Sequence, residues 1–404
     1  MFCNNCGGKL NEYDKFCKNC GASIEQSYYE NDESLQNEDE PKVVVKKKKN
    51  KLIVTILTLL VLSVTGIYII KNNNDKSVES NTYFEEGLAV VGQVNTEDYS
   101  EKFGYINKKG YLVIDYKFDY AQDFSEGLAV VSSNGKWGYI NNKGEFVIKP
   151  QFDYAYAFSE GLAGVKIGDK YGYINKKGDL VRKLQFDEVS SFNEGLARVY
   201  MDGKYGYINK KGYVVVQPQF DWSEDFSEGL AKININNKAG YINKKGNIVI
   251  NPQFEIASSF SEGLASVMIG DRWGYIDKKG EIVIQPQFDS AGEFSEGLAG
   301  ISIGSKFGYI DKKGEIVIQP QFEYGGKFSE GLATVCNLNG EDYTTSFIDK
   351  SGKIINTLYC DNLPEFKGDR AVIMIGDKYG YVDKKGNIVV NPQFDFLNNY
   401  YYDI

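Results

Sequence analysis

The sequence predicts an all-β repeat domain at residues 83–404, built from nine units of about 34 residues each, a fixed period that is typical of a repeat architecture. The first observation is the motif Lys-Trp-Gly-Tyr-Ile at 136–140, which returns in nine units and keeps its central glycine in eight. From Gly104 to Gly308 those glycines recur at a constant spacing. The second is Glu-Gly-Leu-Ala, which keeps the same step from Gly127 to Gly331. The third is an aromatic content of 14%, which favours strands over helices.

One unit, residues 158–192, shows the expected elements. The stretch 162–167 alternates apolar and other residues, which predicts a first strand. The stretch 171–174 is a second strand, and Asn-Lys-Lys-Gly at 175–178 is typical of a hairpin turn. A third strand begins at Leu180, and prolines such as Pro286 of a sister unit are expected to end it. The tail before Phe158 is either a short fourth strand or a turn that crosses to the next unit.

The glycine of the repeated motif lies in the middle of a strand, where glycine normally costs about 0.5–1 kcal/mol relative to alanine. Its return in eight units, as at Gly172, indicates a packing reason. We expect an aromatic ring from an adjacent strand or unit to cover each glycine. The substitution Gly172→Val should then destabilise the domain.

These motifs resemble the bacterial WG repeat, also called the KWG repeat. The resemblance rests on Lys136–Ile140 and Arg272–Asp277, on Phe-Ser-Glu-Gly-Leu-Ala at 124–129 and on Pro-Gln-Phe-Asp at 286–289. It covers nearly all of residues 83–404, although Ala239 departs from the aromatic position. The resemblance implies an all-β repeat domain, usually on the cell surface and without assigned catalysis.

Two arrangements of the nine units remain open. An open β-solenoid is the alternative to a closed, propeller-like array, because a unit of about 34 residues is short for a blade of about 40–45 and nine exceeds the usual 4–8 blades. The chain nevertheless contains a whole number of units and shows no clear cap. We therefore expect the closed array.

The first 24 residues predict a zinc ribbon. Cys3 and Cys6 form one C-x2-C pair, and Cys17 and Cys20 form a second pair ten residues later. Four thiolates suit one structural Zn²⁺, which supplies folding energy that so short a segment cannot obtain from a core. Two disulfides or a redox pair are the alternatives. The segment also resembles the short N-terminal zinc ribbon of many bacterial membrane proteins.

A membrane anchor is expected after a linker. Residues 25–51 are acidic and then basic, and their composition predicts disorder. Residues 52–70 form an uninterrupted run without charge, long enough for a transmembrane helix. Six lysines precede this run and two follow closely, which predicts a cytoplasmic N-terminus. Thiolate ligands in a reducing compartment agree with that orientation. Residues 71–82 would be a stalk outside the cell membrane, followed by the extracellular repeat domain.

Candidate functional residues are few. A glutamate precedes the glycine of each Glu-Gly-Leu-Ala motif, and we interpret these as turn residues rather than as a ring that binds cations. Cys336 and Cys360 could pair as a disulfide, or Cys360 could be a buried free thiol. The insertions at Asn95–Glu101 and Asn337–Thr344 interrupt a regular scaffold, where binding residues tend to lie.

The composition excludes several functions and favours one. Histidine is absent, which removes imidazole chemistry, and a net charge of −9 disfavours nucleic acid as a partner. The polar residues mostly recur in every unit, so no catalytic pair stands out. We therefore expect a non-catalytic surface module that binds a protein or glycan, with the membrane and one structural Zn²⁺ as its other partners. The alternatives are a transmembrane signalling protein and an envelope hydrolase built on the repeat scaffold.

Overall fold

The computed structural model describes residues 84–397 except 96, 98, 182, 183, 340 and 341, and within them it shows nine small antiparallel sheets. The nine sheets match the nine sequence units and form a nine-bladed β-propeller. The described residues contain no helix long and apolar enough to cross a membrane. The predicted zinc ribbon, linker, span and stalk all lie outside the described residues.

Eight blades contain a first, second and third strand, and a short strand precedes the first strand in every blade except blade 6. In blade 3, the isolated bridges Tyr171↔Phe186 and Ile174↔Leu180 replace the third strand. Blades 1 to 3 contain β34 (Phe396–Leu397), β1 (Leu88–Val94), β2 (Glu101–Asn107) and β3 (Leu112–Phe118); β4 (Tyr120–Ser125), β5 (Leu128–Ser133), β6 (Lys136–Ile140) and β7 (Phe146–Phe152); and β8 (Tyr154–Ala155), β9 (Leu162–Ile167) and β10 (Lys170–Asn175). Blades 4 to 6 contain β11 (Glu188–Val189), β12 (Leu196–Met201), β13 (Lys204–Asn209) and β14 (Val214–Phe220); β15 (Trp222–Ser223), β16 (Leu230–Ile235), β17 (Lys238–Asn243) and β18 (Ile248–Phe254); and β19 (Leu264–Ile269), β20 (Arg272–Asp277) and β21 (Ile282–Phe288). Blades 7 to 9 contain β22 (Ser290–Ala291), β23 (Leu298–Ile303), β24 (Lys306–Asp311) and β25 (Ile316–Phe322); β26 (Tyr324–Gly325), β27 (Leu332–Asn339), β28 (Asp342–Asp349) and β29 (Ile354–Leu358); and β30 (Phe366–Lys367), β31 (Arg370–Ile375), β32 (Lys378–Asp383) and β33 (Ile388–Phe394). A single 3-10 turn, Glu85–Gly87, precedes β1 within the described residues.

The short strand answers the question that the sequence left open about the tail of each unit. In blade 5, β15 pairs with β16 through Trp222↔Asn234 and Ser223↔Ile233. The short strand thus follows the third strand of one blade along the chain and joins the sheet of the next blade. Every unit therefore contributes to two blades, which links neighbouring blades through the backbone.

The ring is closed by the two ends of the described chain. The C-terminal strand β34 pairs with β1 through Val91↔Leu397 and Gly92↔Phe396. Asp395 adds to this closure because it accepts a hydrogen bond from the Val94 backbone N–H at 2.9 Å. These contacts confirm the closed array that we expected and exclude the open solenoid.

The third strand of each blade shows why the repeated motif contains glycine. In blade 6, Trp273 pairs with Phe288 and Tyr275 with Ile284, so the third strand has two extra residues opposite Gly274. A Cβ atom at Gly274 would lie 2.5 Å from the Ile284 carbonyl oxygen and 2.8 Å from the Pro286 nitrogen. Our expectation of a covering aromatic ring was wrong, because the bulged backbone itself fills that space.

Our prediction that proline ends the third strand was also wrong. Pro286 lies inside β21 (Ile282–Phe288) rather than at its end. Proline is tolerated there because a bulged residue need not donate to the ladder. Blade 8 is the informative exception, since Ser346 replaces the glycine and Leu358 stands where most units have proline. There Ser346 pairs directly with Thr357 and the bulge at this position is absent.

The core consists of separate apolar clusters at the interfaces between blades. In the cluster between blades 2 and 3, Tyr139 and Phe158 are fully buried, with ring centroids 4.8 Å apart. The Tyr139 hydroxyl donates to the Tyr156 carbonyl at 2.8 Å, which satisfies its polar end. Burial raises the pKa of this phenol, so the hydroxyl stays protonated. Six other units repeat this tyrosine–carbonyl bond: those of Tyr105, Tyr173, Tyr207, Tyr241, Tyr275 and Tyr309.

Candidate functional site

Antiparallel strands place alternate turns at opposite ends of each blade, so the propeller has two faces. We name them by their contents. The hairpin face contains the turns before the first strands, which are Glu-Gly in every blade except blade 9, and the Asn-Lys-Lys-Gly-type turns between second and third strands. The aromatic face contains the turns between first and second strands, such as Gly270-Asp271 of blade 6. The two faces differ in what their side chains offer to a ligand.

On the hairpin face, the repeated glutamates link one blade to the next. The Glu262 carboxylate accepts a hydrogen bond from the Gly297 N–H at 3.0 Å and lies 3.0 Å from the Lys312 ammonium group of the same neighbouring blade. Glu262 has a φ of 53°, and the glycine after it has a φ of 90°. The same pairing with glycine and lysine occurs at Glu126, Glu160, Glu194, Glu228 and Glu296. These bonds support our interpretation of the glutamates as turn residues, because their charge is already neutralised.

On the aromatic face, a second set of ion pairs crosses the blade interfaces. The Lys136 ammonium group lies 2.5 Å from the Asp153 carboxylate. Asp153 also accepts the Gly168 N–H at 2.7 Å, and these bonds lower its pKa below the usual range. Equivalent pairs join Lys102–Asp119, Lys170–Asp187, Lys204–Asp221, Lys238–Glu255, Arg272–Asp289, Lys306–Glu323 and Lys378–Asp395. The basic residue at the start of most second strands is therefore paired across a blade interface, and half-buried aromatic side chains lie on the same face.

Half-buried aromatic rings form a chain along this face, which we call the aromatic band. Tyr120 contacts Trp137 at 4.9 Å between ring centroids, and Trp137 contacts Tyr154 at 5.0 Å. Apart from Tyr156, the members of the band occupy the aromatic position of the repeated motif or the first position of the short strand, so the band crosses from blade to blade. Its members on blades 1 to 3 are Phe103, Tyr120, Trp137, Tyr154, Tyr156, Tyr171 and Phe396.

The band continues at the interface of blades 4 and 5 as a cluster of Arg198, Tyr200, Tyr205 and Trp222, which we call the arginine cluster. The Arg198 guanidinium carbon lies 5.2 Å from the Tyr205 ring centroid and 5.3 Å from that of Trp222. Arg198 also donates to the Ser223 carbonyl. Trp222 remains 46% exposed, although it is a large aromatic residue. Tyrosine, tryptophan and arginine are the residues most enriched at binding hot spots.

A buried polar network specific to these blades supports the arginine cluster. The Ser190 hydroxyl donates to Asp225 at 2.7 Å, and the Ser259 hydroxyl donates to Glu224 at 2.7 Å. Lys232, 9% exposed, is paired with Glu224. Burial raises the pKa of Asp225, and the nearby Arg198 charge opposes that shift. Glu224 and Lys232 occupy positions that are uncharged in most other units, so their buried ion pair distinguishes this sector of the ring.

Glu293 of blade 7 is a buried carboxyl group whose protonation should make the stability of the domain depend on pH. Its Oε1 atom is buried and has no hydrogen-bond partner within the described residues. Burial raises the pKa of Glu293 to about 8, against the opposing effect of Lys327. The folded pKa is thus above the unfolded value, so the folded protein binds the extra proton. Stability from this group is present below the unfolded pKa, near 4.5, and is lost as pH rises through about 8.

Glu293→Gln should therefore stabilise the domain at pH 8 by on the order of 3 kcal/mol and leave it little changed at pH 4.5. The measurement is urea unfolding of wild type and variant across this pH range. Glu145→Gln is the matched control, because Glu145 is exposed at a hairpin tip. If the unfolding free energy of the wild type falls no more steeply from pH 4.5 to pH 8 than that of Glu293→Gln, then Glu293 is not a buried carboxyl group that binds a proton on folding.

The other candidates from the sequence fall in different places. Cys3, Cys6, Cys17 and Cys20 lie outside the described residues, and the described residues hold no cluster of ligands suited to a metal ion. Both insertions lie in turns between first and second strands and hence on the aromatic face. The Asn95 N–H donates to the Ser100 carbonyl at 2.8 Å in the first insertion. The second insertion lengthens β27 and β28 beyond the first and second strands of the other blades.

The two cysteines of blade 8 are both free thiols. Cys336 pairs with Thr345 of the next strand, and the Thr345 side chain also hydrogen-bonds with Cys360. Burial raises the pKa of each thiol to about 11, which keeps both protonated and unreactive near neutral pH.

Sequence reasoning missed the aromatic band and the arginine cluster. One signal was available, because aromatic residues recur at Tyr120, Trp137 and Tyr154, each half a repeat after the one before. Their contact across blades depends on the crossing of the short strand, which the sequence left undecided. The signal for Arg198 is that valine, glycine, serine or threonine occupies its position in most other units, while lysine occupies it in the next.

The repeat pattern and the blades coincide with a known family. The family described as "WG containing repeat" matches residues 103–137, 137–171, 171–205, 205–238, 240–273, 273–307, 307–340, 346–379 and 379–404. The chain belongs to the WG-repeat family. In this WG-repeat protein, the two residues of the Trp-Gly pair have separate roles. The aromatic ring belongs to the aromatic band, and the glycine faces the bulge of the third strand. No curated protein matches the chain significantly.

Solved structures show only a distant likeness. Hsv2p of Kluyveromyces lactis is 9% identical with a TM-score of 0.34, covering 59% of this chain and 98% of its own. PorZ of Porphyromonas gingivalis is 10% identical with a TM-score of 0.27, covering 75% of this chain and 50% of its own. The tricorn protease is 11% identical with a TM-score of 0.22, and the match covers 74% of this chain and 39% of the protease chain. Scores at this level carry no inference about function.

Proposed function

We propose that the WG-repeat propeller is a non-catalytic binding module whose aromatic face contacts a protein partner at the arginine cluster. The observation that carries the proposal is the exposed Trp222 ring packed against Arg198. A rigid aromatic side chain packed against a half-buried arginine loses little conformational entropy on binding. Both insertions lie on the same face, so their loops can add contacts beside the band. A glycan remains the alternative ligand for such an aromatic surface.

The position of this module in the cell is part of the proposal. Residues 52–70 would anchor the chain in the membrane, with the ribbon of Cys3, Cys6, Cys17 and Cys20 binding one structural Zn²⁺ in the cytoplasm. The propeller would then face the outside. Zinc content of the purified full chain, compared with a Cys17→Ser variant, tests the ribbon. Protease treatment of intact cells tests the orientation, because only an outward propeller would be digested.

Trp222→Ala should weaken capture of a partner from cell-envelope extract by about thirtyfold, as for other central aromatic anchors. The measurement uses immobilised residues 83–404, whose described part closes into a ring through its own strands. Because Trp222 is about half exposed and lies at the surface, its removal should lower the melting temperature only slightly. Lys312→Met is the control, because it changes a side chain on the opposite, hairpin face. It should leave capture of the partner unchanged.

Two results would count against the proposal. Equal capture by wild type and Trp222→Ala would remove the arginine cluster from the binding surface. The absence of any saturable partner for a folded domain would remove the binding function itself. Shortening the loop at Asn95–Glu101 or Asn337–Thr344 then shows whether the insertions contribute.

A further inference from the structure

The step from blade 9 to blade 1 lacks a carboxylate that the hairpin face supplies elsewhere. In six other steps, one glutamate receives both a glycine N–H and a lysine ammonium group from the following blade, as Glu262 does from Gly297 and Lys312. At the closing step the corresponding residue of blade 9 is Gly368, so no side chain is present. We give the name closing seam to this junction on the hairpin face, which comprises Gly368 and Arg370 of blade 9 and Gly87 and Lys108 of blade 1.

The two groups that would bind the missing carboxylate are both present in blade 1. Lys108 has the sequence position of Lys312, and it is exposed with no ion pair or hydrogen bond from its side chain within the described residues. Gly87 has the position of Gly297, and its N–H instead donates to the Phe84 carbonyl at 2.9 Å. The seam therefore keeps the cationic half of the repeated arrangement without its anionic half.

Arg370 adds a second positive charge to the same seam. It stands where the other units have leucine, as in Leu88 and Leu298, and that position packs toward the following blade. Its side chain is only 14% exposed, and its guanidinium carbon lies 5.3 Å from the Phe84 ring centroid. Its Nε and Nη1 atoms are buried and lack hydrogen-bond partners within the described part of the chain. The exposed Asp369 carboxylate forms a long ion pair with Nε at 3.9 Å, which is too far for a hydrogen bond.

The backbone explains why blade 9 has no glutamate here. In the other units both turn residues have positive φ, as in Glu262 and Gly263, which is typical of a type I′ turn. In blade 9, Gly368 has a φ of 71°, while Asp369 is not in the left-handed region. This pattern is typical of a type II′ turn, which requires glycine at its first central position. The turn still joins its strands in the same register, through Phe366↔Ala371 and Lys367↔Arg370.

We propose that the closing seam binds a carboxylate group, held by Arg370 and Lys108. Buried guanidinium donors without partners are costly, and a carboxylate is the anion whose planar geometry matches them. The repeated steps show that the hairpin face can accommodate a carboxylate between blades. The group comes either from a small organic acid or from an acidic side chain of a partner protein. This site is on the opposite face from the arginine cluster and is independent of it.

The test compares thermal unfolding of the full chain in sodium acetate and in sodium chloride at equal ionic strength. Intrinsic fluorescence reports on the propeller alone, because all three tryptophans lie within it. We expect acetate at ten times its dissociation constant to raise the melting temperature by about 2 °C. Arg370→Leu introduces the residue of the other units, so it should stay folded and lose the acetate effect. Equal melting temperatures of the wild type in the two salts would overturn the proposal.

A second variant keeps the proposal testable if Arg370→Leu does not fold. The double substitution Gly368→Glu with Asp369→Gly restores the repeated Glu-Gly turn and places a carboxylate in the seam. It should raise the melting temperature and abolish the acetate effect, whereas an unchanged acetate effect would overturn the proposed location. A tetraglutamate peptide, at a carboxylate concentration equal to that of acetate, distinguishes the two sources. A larger effect of the peptide indicates an acidic segment, and an equal effect indicates a small acid.

Discussion

Gly274→Val should lower the free energy of unfolding by about 3 kcal/mol or more, at the upper end of the usual cost of overpacking. The added side chain would meet the backbone of the bulge, with its Cβ 2.5 Å from the Ile284 carbonyl oxygen. Backbone atoms cannot move aside as a flexible side chain can, so the second and third strands of blade 6 must separate. Urea unfolding measured by tryptophan fluorescence gives the difference, with Trp273 reporting from the same blade.

Blade 8 offers the matched control for this substitution. Ser346 occupies the glycine position and already carries a Cβ, because its third strand pairs without the bulge there. Ser346→Ala should therefore cost only about 1 kcal/mol, for loss of the hydrogen bond between the Ser346 and Thr357 hydroxyls. If Gly274→Val and Ser346→Ala cost the same, the close approach of the bulge would not be the reason for the glycine.

A chain that ends at residue 393 should be less stable than a chain that ends at residue 397 by about 5 kcal/mol or more. The truncation removes Phe394 and Leu397, which are 7% and 1% exposed, and with them the pairing of β34 with β1. It also removes Asp395, which pairs with Lys378 and accepts the Val94 N–H. Residue 397 is the right end for the control, because it keeps every closing contact described here.

Limited proteolysis provides a second measurement of this truncation. The open chain should be cleaved first in blades 1 and 9, since only these two blades lose their neighbour across the closure. Equal resistance of both chains, with equal urea midpoints, would mean that the ring does not depend on β34. Cleavage spread evenly over all nine blades would instead show that the blades unfold as one cooperative unit.

Much of this fold follows from the period of the sequence, because each unit repeats the same strand signals. The tight turns, the three main strands and the whole number of units led correctly to a closed array. The role of Pro286 could not be predicted, since a proline at a bulge and a proline at a strand end look the same in sequence. The reason for Gly274 was also missed. It depends on the bulge, which brings backbone atoms of the third strand close to this glycine.

The candidate sites were less accessible to sequence reasoning. Trp222 and Arg198 are well separated in the sequence and meet only because a short strand of one unit joins the blade of the next. The departure of Gly368 and Arg370 from Glu-Gly-Leu is visible in the sequence. Its meaning depends on ring closure, which brings blade 9 against blade 1, whose hairpin turn contains Lys108. The four N-terminal cysteines and the span at 52–70 stay predictions.

The closure by β34 also governs how the protein can be synthesised. Val91 and Leu397 pair from opposite ends of the repeat domain, so one edge of β1 has no partner until synthesis has passed Leu397. Closing a loop of that length costs about 5 kcal/mol in chain entropy if the intervening chain is unfolded. Blades that form in order from the N-terminus would reduce this cost, because they hold the chain in a curved array. Until then the apolar edge of β1 is exposed to other nascent chains, which makes blade 1 the part most exposed to misassembly during translation.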